Sequence, residues 1–189
     1  MEIIEVLAIC GSVREESLNR ALLRAAQELA GDPFRVEVWD DHALIPHVDA
    51  TRGRPFPAAV QALRGRVAAA DVVLLVTPEF NRGIPGGLKD IVDWLSVLAP
   101  PRPLAGKPVV LMSASPHQFG GAFAQLQLAD ALRRVGAEVL SDLDVAVGFC
   151  HGHIDESGTL VGEEPRAAIV ELWRRVLSKV GADRQAVPA

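Results

Sequence analysis

The segment Ile9-Cys10-Gly11-Ser12-Val13-Arg14-Glu15-Glu16-Ser17-Leu18-Asn19-Arg20 constrains this chain more than any other. It closes an apolar run, Ile3 to Ile9, that reads as a strand. It then opens a helix whose apolar positions are Leu18, Leu22, Ala25 and Leu29. A strand that stops at a small, hydroxyl-rich turn and re-enters as a helix aims free backbone N–H groups at one point. The helix dipole adds partial positive charge there. Ser12, Ser17 and Arg14 add side-chain donors, so the turn reads as a cradle for a phosphate. The three glycines of G-x-G-x-x-G are absent, and so is the Gly-Lys-Ser/Thr of a P-loop. The expected ligand carries a terminal phosphate and not a bridging pyrophosphate.

What lies beyond this turn must bury a core. With 189 residues the chain suits one α/β domain, taken as residues 1–182 with a disordered tail at 183–189. A net charge of −5 and a pI near 5.5 argue against nucleic-acid and anionic-membrane partners, both of which need a basic face. The longest apolar runs are strand-sized, so no transmembrane helix is expected. Glu2 and Glu5 flank Ile3 and Ile4, unlike the basic start of a signal peptide. Cys10 and Cys150 are expected as free buried thiols, which fits a reducing cytoplasm.

Strand and helix signals alternate along the whole chain. Strands are expected at Ile3–Ile9, Arg35–Trp39, Val72–Val76 and Val109–Met112. Glu138–Leu140 and Val145–Cys150 read as one interrupted edge strand. Helices are expected at Ala58–Ala70, Leu88–Leu98, about Ala122–Val135 and Glu163–Val180. The last should turn Val170, Trp173, Val176, Leu177 and Val180 inward. Val72–Val76 is apolar without a break, as a strand buried on both faces of a parallel sheet must be. The stretch Asp40–Phe56, with Pro46, Gly53 and Pro55, reads as a long functional loop. This alternation predicts an open, doubly wound parallel sheet of five strands with helices on both faces. Its ligand should lie at the carboxyl ends of the strands. The phosphate turn follows the first strand directly, which fits the flavodoxin-like order 2-1-3-4-5.

Two further turns fall on that carboxyl edge. Thr77-Pro78-Glu79-Phe80-Asn81-Arg82-Gly83-Ile84-Pro85-Gly86-Gly87-Leu88-Lys89-Asp90-Ile91-Val92-Asp93-Trp94 follows the third strand. Its prolines and glycines set an irregular backbone that a flat ligand can approach closely. Ser113-Ala114-Ser115-Pro116-His117-Gln118-Phe119-Gly120-Gly121 follows the fourth, and its Gly pair opens a helix. Three strand-end turns should therefore surround one crevice.

At these residues, from the first strand to about Val135, the chain resembles the NADPH-dependent FMN reductase family of flavodoxin-like quinone, chromate and azo reductases. The family pattern G-S-x-R-x-x-S-x-N-R is matched by Gly11, Ser12, Arg14, Ser17, Asn19 and Arg20. The pattern T-P-E-Y-N-x-x-x-P-G-x-L-K-N-x-x-D-W is matched by Thr77, Pro78, Glu79, Asn81, Pro85, Gly86, Leu88, Lys89, Asp93 and Trp94. Phe80 replaces the usual Tyr and loses its hydroxyl, and Asp90 replaces the usual Asn. The resemblance implies that Ser12, Arg14, Ser17 and Asn19 hold the FMN phosphate. Pro78, Glu79, Phe80 and Asn81 would border the isoalloxazine and ribityl chain, and Ser115, Gly120 and Gly121 the pyrimidine side of the ring. The implied activity is ping-pong hydride transfer from NADPH or NADH to flavin N5, then to a quinone or similar small acceptor. No side chain is expected to act as a catalytic acid or base. The resemblance also implies a homodimer or homotetramer whose partner chain covers part of the flavin.

Plainer roles stand beside these. Ser17 suits a helix N-cap without any ligand. Arg14 suits a surface pair with Glu15 or Glu16. Trp94 suits packing or a dimer contact, and His117 an ordinary loop histidine. His151-Gly152-His153 with Asp155 lacks metal-ligand spacing, so no metal site is expected. Asp40-Asp41-His42 reads as a solvated loop. Two other functions stay open at this level, a one-electron FMN carrier and a flavin-free phosphate-binding regulatory module.

Overall fold

A computed structural model of the chain describes residues 2–49, 55–97 and 102–186. Six parallel strands form one sheet: β1 (Ile4–Cys10), β2 (Phe34–Trp39), β3 (Val72–Val76), β4 (Pro108–Ala114), β5 (Glu138–Val139) and β6 (Val145–Val147). The order is β2-β1-β3-β4-β5, with β6 also paired to β4. β5 and β6 are two parts of one edge, parted by a 3-10 turn at Ser141–Leu143. The order expected from the first turn is thus the order observed, with the fifth strand interrupted. Its second part stops at Val147, and Cys150 opens another 3-10 turn.

Each strand sends alternate side chains to opposite faces, and each face is roofed by helices. Ile4, Val6, Ala8 and Cys10 of β1 pack with α1 (Leu18–Leu29) and α5 (Glu163–Ala186). Leu7 and Ile9 face α2 (Ala58–Ala69), α3 (Gly86–Ser96) and α4 (Ala122–Arg134). β3 is buried at all five positions, as its unbroken apolar run requires. α5 differs from expectation in phase. Its inward stripe is Ile169, Leu172, Trp173, Val176 and Val180, while Val170 is exposed. Ile169 lies at the centre of this stripe and one residue is about 100° of helix rotation, so Val170 falls outside it. α5 also runs to Ala186, into the stretch expected to be disordered; 187–189 lie outside the described residues.

The long loop after β2 contains a 3-10 turn at His42–Leu44 and is tied to α3. Trp94 Nε1 donates to the Pro46 carbonyl at 2.7 Å, and Asp90 accepts from the Val48 N–H at 3.1 Å and meets His47 Nδ1 at 2.7 Å. Trp94 is therefore buried within its own chain, which accounts for it without a partner subunit. The carboxylate at position 90 gains a partner in His47. Residues 50–54 of the loop, and Leu98, lie outside the described residues. Cys10 and Cys150 are free and buried, and burial pushes both thiols above their usual range. Among the described residues no helix is long and apolar enough to cross a membrane.

Candidate functional site

β1 leaves the sheet at Gly11, whose N–H still donates to the Val76 carbonyl at 2.7 Å. A Cβ at Gly11 would lie 3.0 Å from Leu88 Cδ2 and 3.2 Å from Pro78 Cδ, so the first and second turns pack closely here and a larger residue would require Leu88 or Pro78 to shift. Ser17 is the N-cap of α1, its hydroxyl oxygen accepting from the Asn19 N–H. Between these points the backbone N–H groups of Val13, Arg14, Glu15 and Glu16 meet no acceptor among the described residues. Arg14 is exposed, and among the described residues it pairs with neither Glu15 nor Glu16. An anion receptor has this form: unpaired donors at a helix start with a free guanidinium beside them.

Asn19 is held largely within the chain. It is 3% exposed, its Nδ2 donates to the Ala114 carbonyl at 3.0 Å, and its Oδ1 accepts from the Ala114 N–H at 2.9 Å. Both ends of the amide are thus bound to the end of β4, and one N–H is left over. Asn19 braces the first turn against the third. Arg20 turns away from the cradle and grips Asp40 with two bonds, at 2.8 and 2.6 Å. That guanidinium holds the Asp40 carboxyl below the usual carboxylate range. The Asp40–His42 stretch is solvated at Asp40 and Asp41, as expected, but not at His42. His42 is buried against Trp39, neither ring nitrogen has a partner in the structure, and burial lowers its pKa.

The second turn is a two-residue hairpin. Phe80 and Gly83 exchange both backbone hydrogen bonds, at 3.1 and 2.9 Å, across Asn81 (φ 52°) and Arg82 (φ 61°). Positive φ at both central positions is the geometry of a type I′ turn, for which Asn is suited and Arg is not. Glu79 reaches from this turn to α4, where its Oε2 accepts from the Ala124 N–H at 3.1 Å. The N-cap of α4 is Gly121, which offers no side chain, so Glu79 caps the helix from outside.

The third turn is held from beneath by a buried polar group. Ser113 Oγ donates to the Gly120 carbonyl and accepts from Gln125 Nε2, both at 2.6 Å, and the same nitrogen donates to the Val145 carbonyl at 3.0 Å. Ser115 accepts at Oγ from the His117 N–H, and its backbone bonds to Val147 and Cys150. At Gly120 (φ 60°) a Cβ would lie 2.6 Å from the Ala146 carbonyl carbon, so the turn can lie flat on β6 only as glycine.

The second and third turns, with Phe123 and Phe149, line an open cleft of about 590 Å³ whose wall includes Glu79, Asn81, Arg82, Ser115, His117, Gly121 and Phe119. No residue of the first turn lines it; Glu15, Glu16 and Ser17 instead border a separate depression with Arg24 and the 151–158 loop. Of the expected ring-binding residues, Glu79, Asn81, Ser115 and Gly121 reach the cleft wall. Pro78 and Gly120 do not. Both are buried in the backbone layer below, where Pro78 packs on the first turn and Gly120 on β6. Phe80 is also off the wall and is 59% exposed. Phe119, Phe123 and Phe149 were not anticipated. Phe119 and Phe123 meet edge to face at 5.5 Å, and Phe149 is exposed and held at φ 45°. Among the described residues no group of three or more His, Cys, Asp or Glu is placed to hold a metal, including the His151–Asp155 stretch.

A phosphate-type cradle and an aromatic cleft at the carboxyl edge of a 2-1-3-4-5 sheet invite comparison with known proteins. The family model described as NADPH-dependent FMN reductase matches residues 4–152. The chain belongs to the NADPH-dependent FMN reductase family. It is thus an oxidoreductase of a family that works with FMN and NAD(P)H. Its relatives include a quinone reductase of Escherichia coli (strain K12), 36% identical over 165 residues, which span 86% of this chain and 87% of that one. An NAD(P)H-dependent FMN reductase of Pseudomonas aeruginosa is 33% identical over 180 residues, 92% of this chain and 97% of the relative. Among solved structures, the flavoenzyme NAD(P)H:(acceptor) oxidoreductase FerB of Paracoccus denitrificans superposes with a TM-score of 0.86. It is 26% identical and covers 95% of this chain and 98% of its own.

Proposed function

We propose that this member of the family is an FMN-dependent NAD(P)H oxidoreductase that reduces quinones or similar small acceptors, with donor and acceptor using one cleft in turn. One arrangement supports this most strongly: four unpaired backbone N–H groups, Val13 to Glu16, and the unpaired Arg14 on the first strand-end turn, with a cleft walled in part by three phenylalanines at the second and third strand-end turns of the same sheet edge. The donor set fits FMN, since hydroxyls, amides and a guanidinium suit a phosphomonoester and aromatic rings suit a flat heterocycle. When bound, FMN supplies the ring that takes up and gives back hydride.

The chain's own residues position and shield. Arg14 and the N–H run hold the phosphate, with the Ser12 and Ser17 hydroxyls as further donors. The bonds Ser17 and Ser115 are seen to make use their oxygens as acceptors, which leaves each hydroxyl hydrogen free to donate outward. Asn19 contributes chiefly by holding the first turn to Ala114. Glu79 keeps α4 capped, so that its start, at Gly121, stays against the cleft. Phe119, Phe123 and Phe149 exclude water from one side.

Substrates that alternate in one cleft predict parallel double-reciprocal lines for NADPH and a quinone. Intersecting lines would count against alternation. The wider reading is tested by the absorbance of the purified protein before and after anaerobic NADPH. A flavin spectrum that NADPH bleaches rapidly is the expected result. A flavin that NADPH bleaches only slowly marks an electron carrier, and a colourless protein that FMN cannot reconstitute marks a phosphate-binding module. The exposed rings of Phe80, Phe119 and Phe149 and the exposed Leu126 favour a homodimer or homotetramer. Light scattering that finds monomer at micromolar concentration would remove it. Two unpaired, buried cysteines suit a reducing compartment such as the cytoplasm.

A further inference from the structure

Arg82 occupies a conformation that arginine rarely takes. Its φ is 61° at the tip of the two-residue hairpin, where Asn or Gly would sit with less strain. The surroundings nonetheless hold it there. Phe80 and Gly83 lock the hairpin from both sides, and Gln127 Nε2 donates to the Arg82 carbonyl at 2.9 Å. The guanidinium carbon lies 4.6 Å from the centre of the Phe123 ring, at the wall of the cleft. Among the described lining residues it is the one permanently charged cation, and among the described residues it forms no ion pair. Glu79 lines the same cleft, but its Oε2 accepts from the Ala124 N–H and it forms no ion pair with Arg82. A guanidinium stacked on an aromatic face keeps its N–H edge free for an anion.

We infer that Arg82 anchors a phosphate of the dinucleotide hydride donor while the nicotinamide lies among the phenylalanines of the cleft. This rests on the reading that the cleft admits NAD(P)H. The FMN phosphate is not the partner, because its donors are gathered separately at Val13–Glu16 and FMN has no second anionic group. A neutral quinone offers carbonyl acceptors but no anionic charge to match the guanidinium. The dinucleotide brings a pyrophosphate on every turnover, and NADPH a further 2′-phosphate.

Arg82→Asn tests this, since asparagine accepts a left-handed backbone and preserves the hairpin. In the FMN-loaded protein, calorimetric titration with NADP⁺ should give a Kd about tenfold or more higher than in the parent, the loss of about one charge-assisted contact. The ratio of kcat/KM for NADPH to that for N-benzyl-1,4-dihydronicotinamide, a donor without phosphate, should fall about tenfold. The change should lie mainly in KM, and Arg82→Lys should restore part of it. An equal fall for NADH locates the contact at the pyrophosphate, and a larger fall for NADPH at the 2′-phosphate; either supports the inference. An unchanged ratio overturns it. So does a loss confined to a sulfonated quinone as acceptor, which would make Arg82 an acceptor anchor. Failure of the underlying reading would look different: the parent protein would carry no flavin and oxidise neither donor.

Discussion

Asn19 distinguishes a phosphate ligand from a structural brace, and the two roles respond oppositely to flavin removal. In Asn19→Ala the bonds of 2.9 and 3.0 Å to Ala114 disappear. Ala114 is 3% exposed, so water cannot easily replace them. Its N–H and carbonyl would remain buried without partners, at about 1–3 kcal/mol each. A loss of roughly 3–5 kcal/mol is therefore expected, large for one substitution. Asn19→Asp keeps the acceptor toward the Ala114 N–H but sets a carboxylate oxygen against the Ala114 carbonyl, so it should recover only part of this. The assay is urea denaturation of flavin-free protein, followed by the fluorescence of the buried Trp39, Trp94 and Trp173 and extrapolated linearly to water. If flavin-free Asn19→Ala is within about 1 kcal/mol of the parent while FMN affinity collapses, the amide serves the phosphate and the brace argument is wrong.

Three other outcomes follow from the same geometry. Arg14→Ala should weaken FMN binding roughly ten- to a hundredfold, at about 1.4 kcal/mol per factor of ten, and change riboflavin binding little; equal losses for the two flavins would show general damage instead. Glu79→Ala removes the external cap of α4 and should lower stability by about 0.5–2 kcal/mol in flavin-free protein, measured by the same denaturation. His42 is held below its ordinary value of 6.5, so the unfolded chain binds the extra proton first as pH falls. Its contribution is complete above pH 6.5 and is lost as pH drops from there toward the folded pKa. His42→Phe, which keeps a ring beside Trp39, should flatten that part of the stability curve, and an unchanged pH profile would refute the assignment.

Much of the fold was legible because local chemistry and global topology agree. An unbroken apolar run such as Val72–Val76 has no alternative to a strand covered on both faces. The small, hydroxyl-rich turn after β1 likewise marks where the chain passes from strand to helix with backbone N–H groups left unpaired. Ring-site residues were less legible. Phe119, Phe123 and Phe149 lie on the third turn, on α4 and beyond β6, and no sequence spacing connects the last of them to the others. A cue for Asn19 and Gln125 was present: each shares a helical face with buried apolar residues, Leu22 and Leu23 for one, Leu128 and Leu132 for the other. A polar side chain on such a stripe must find a buried partner.

The sequence by itself determined the alternation of elements, the strand order and the three turns at one edge. These follow from periodicity, from backbone freedom at glycine and from donors at a helix start, all of which act over a few residues. Tertiary structure alone decided which polar side chains are bonded within the chain and which are left free. Asn19 and Arg20 sit in the same first-turn motif as Arg14, yet one clamps Ala114 and the other grips Asp40. Arg82 sits in a hairpin tip and faces the cleft. The reason is physical. A side chain's task depends on whether its polar atoms are already bonded within the chain, and partners tens of residues away become neighbours only when the sheet and helices pack.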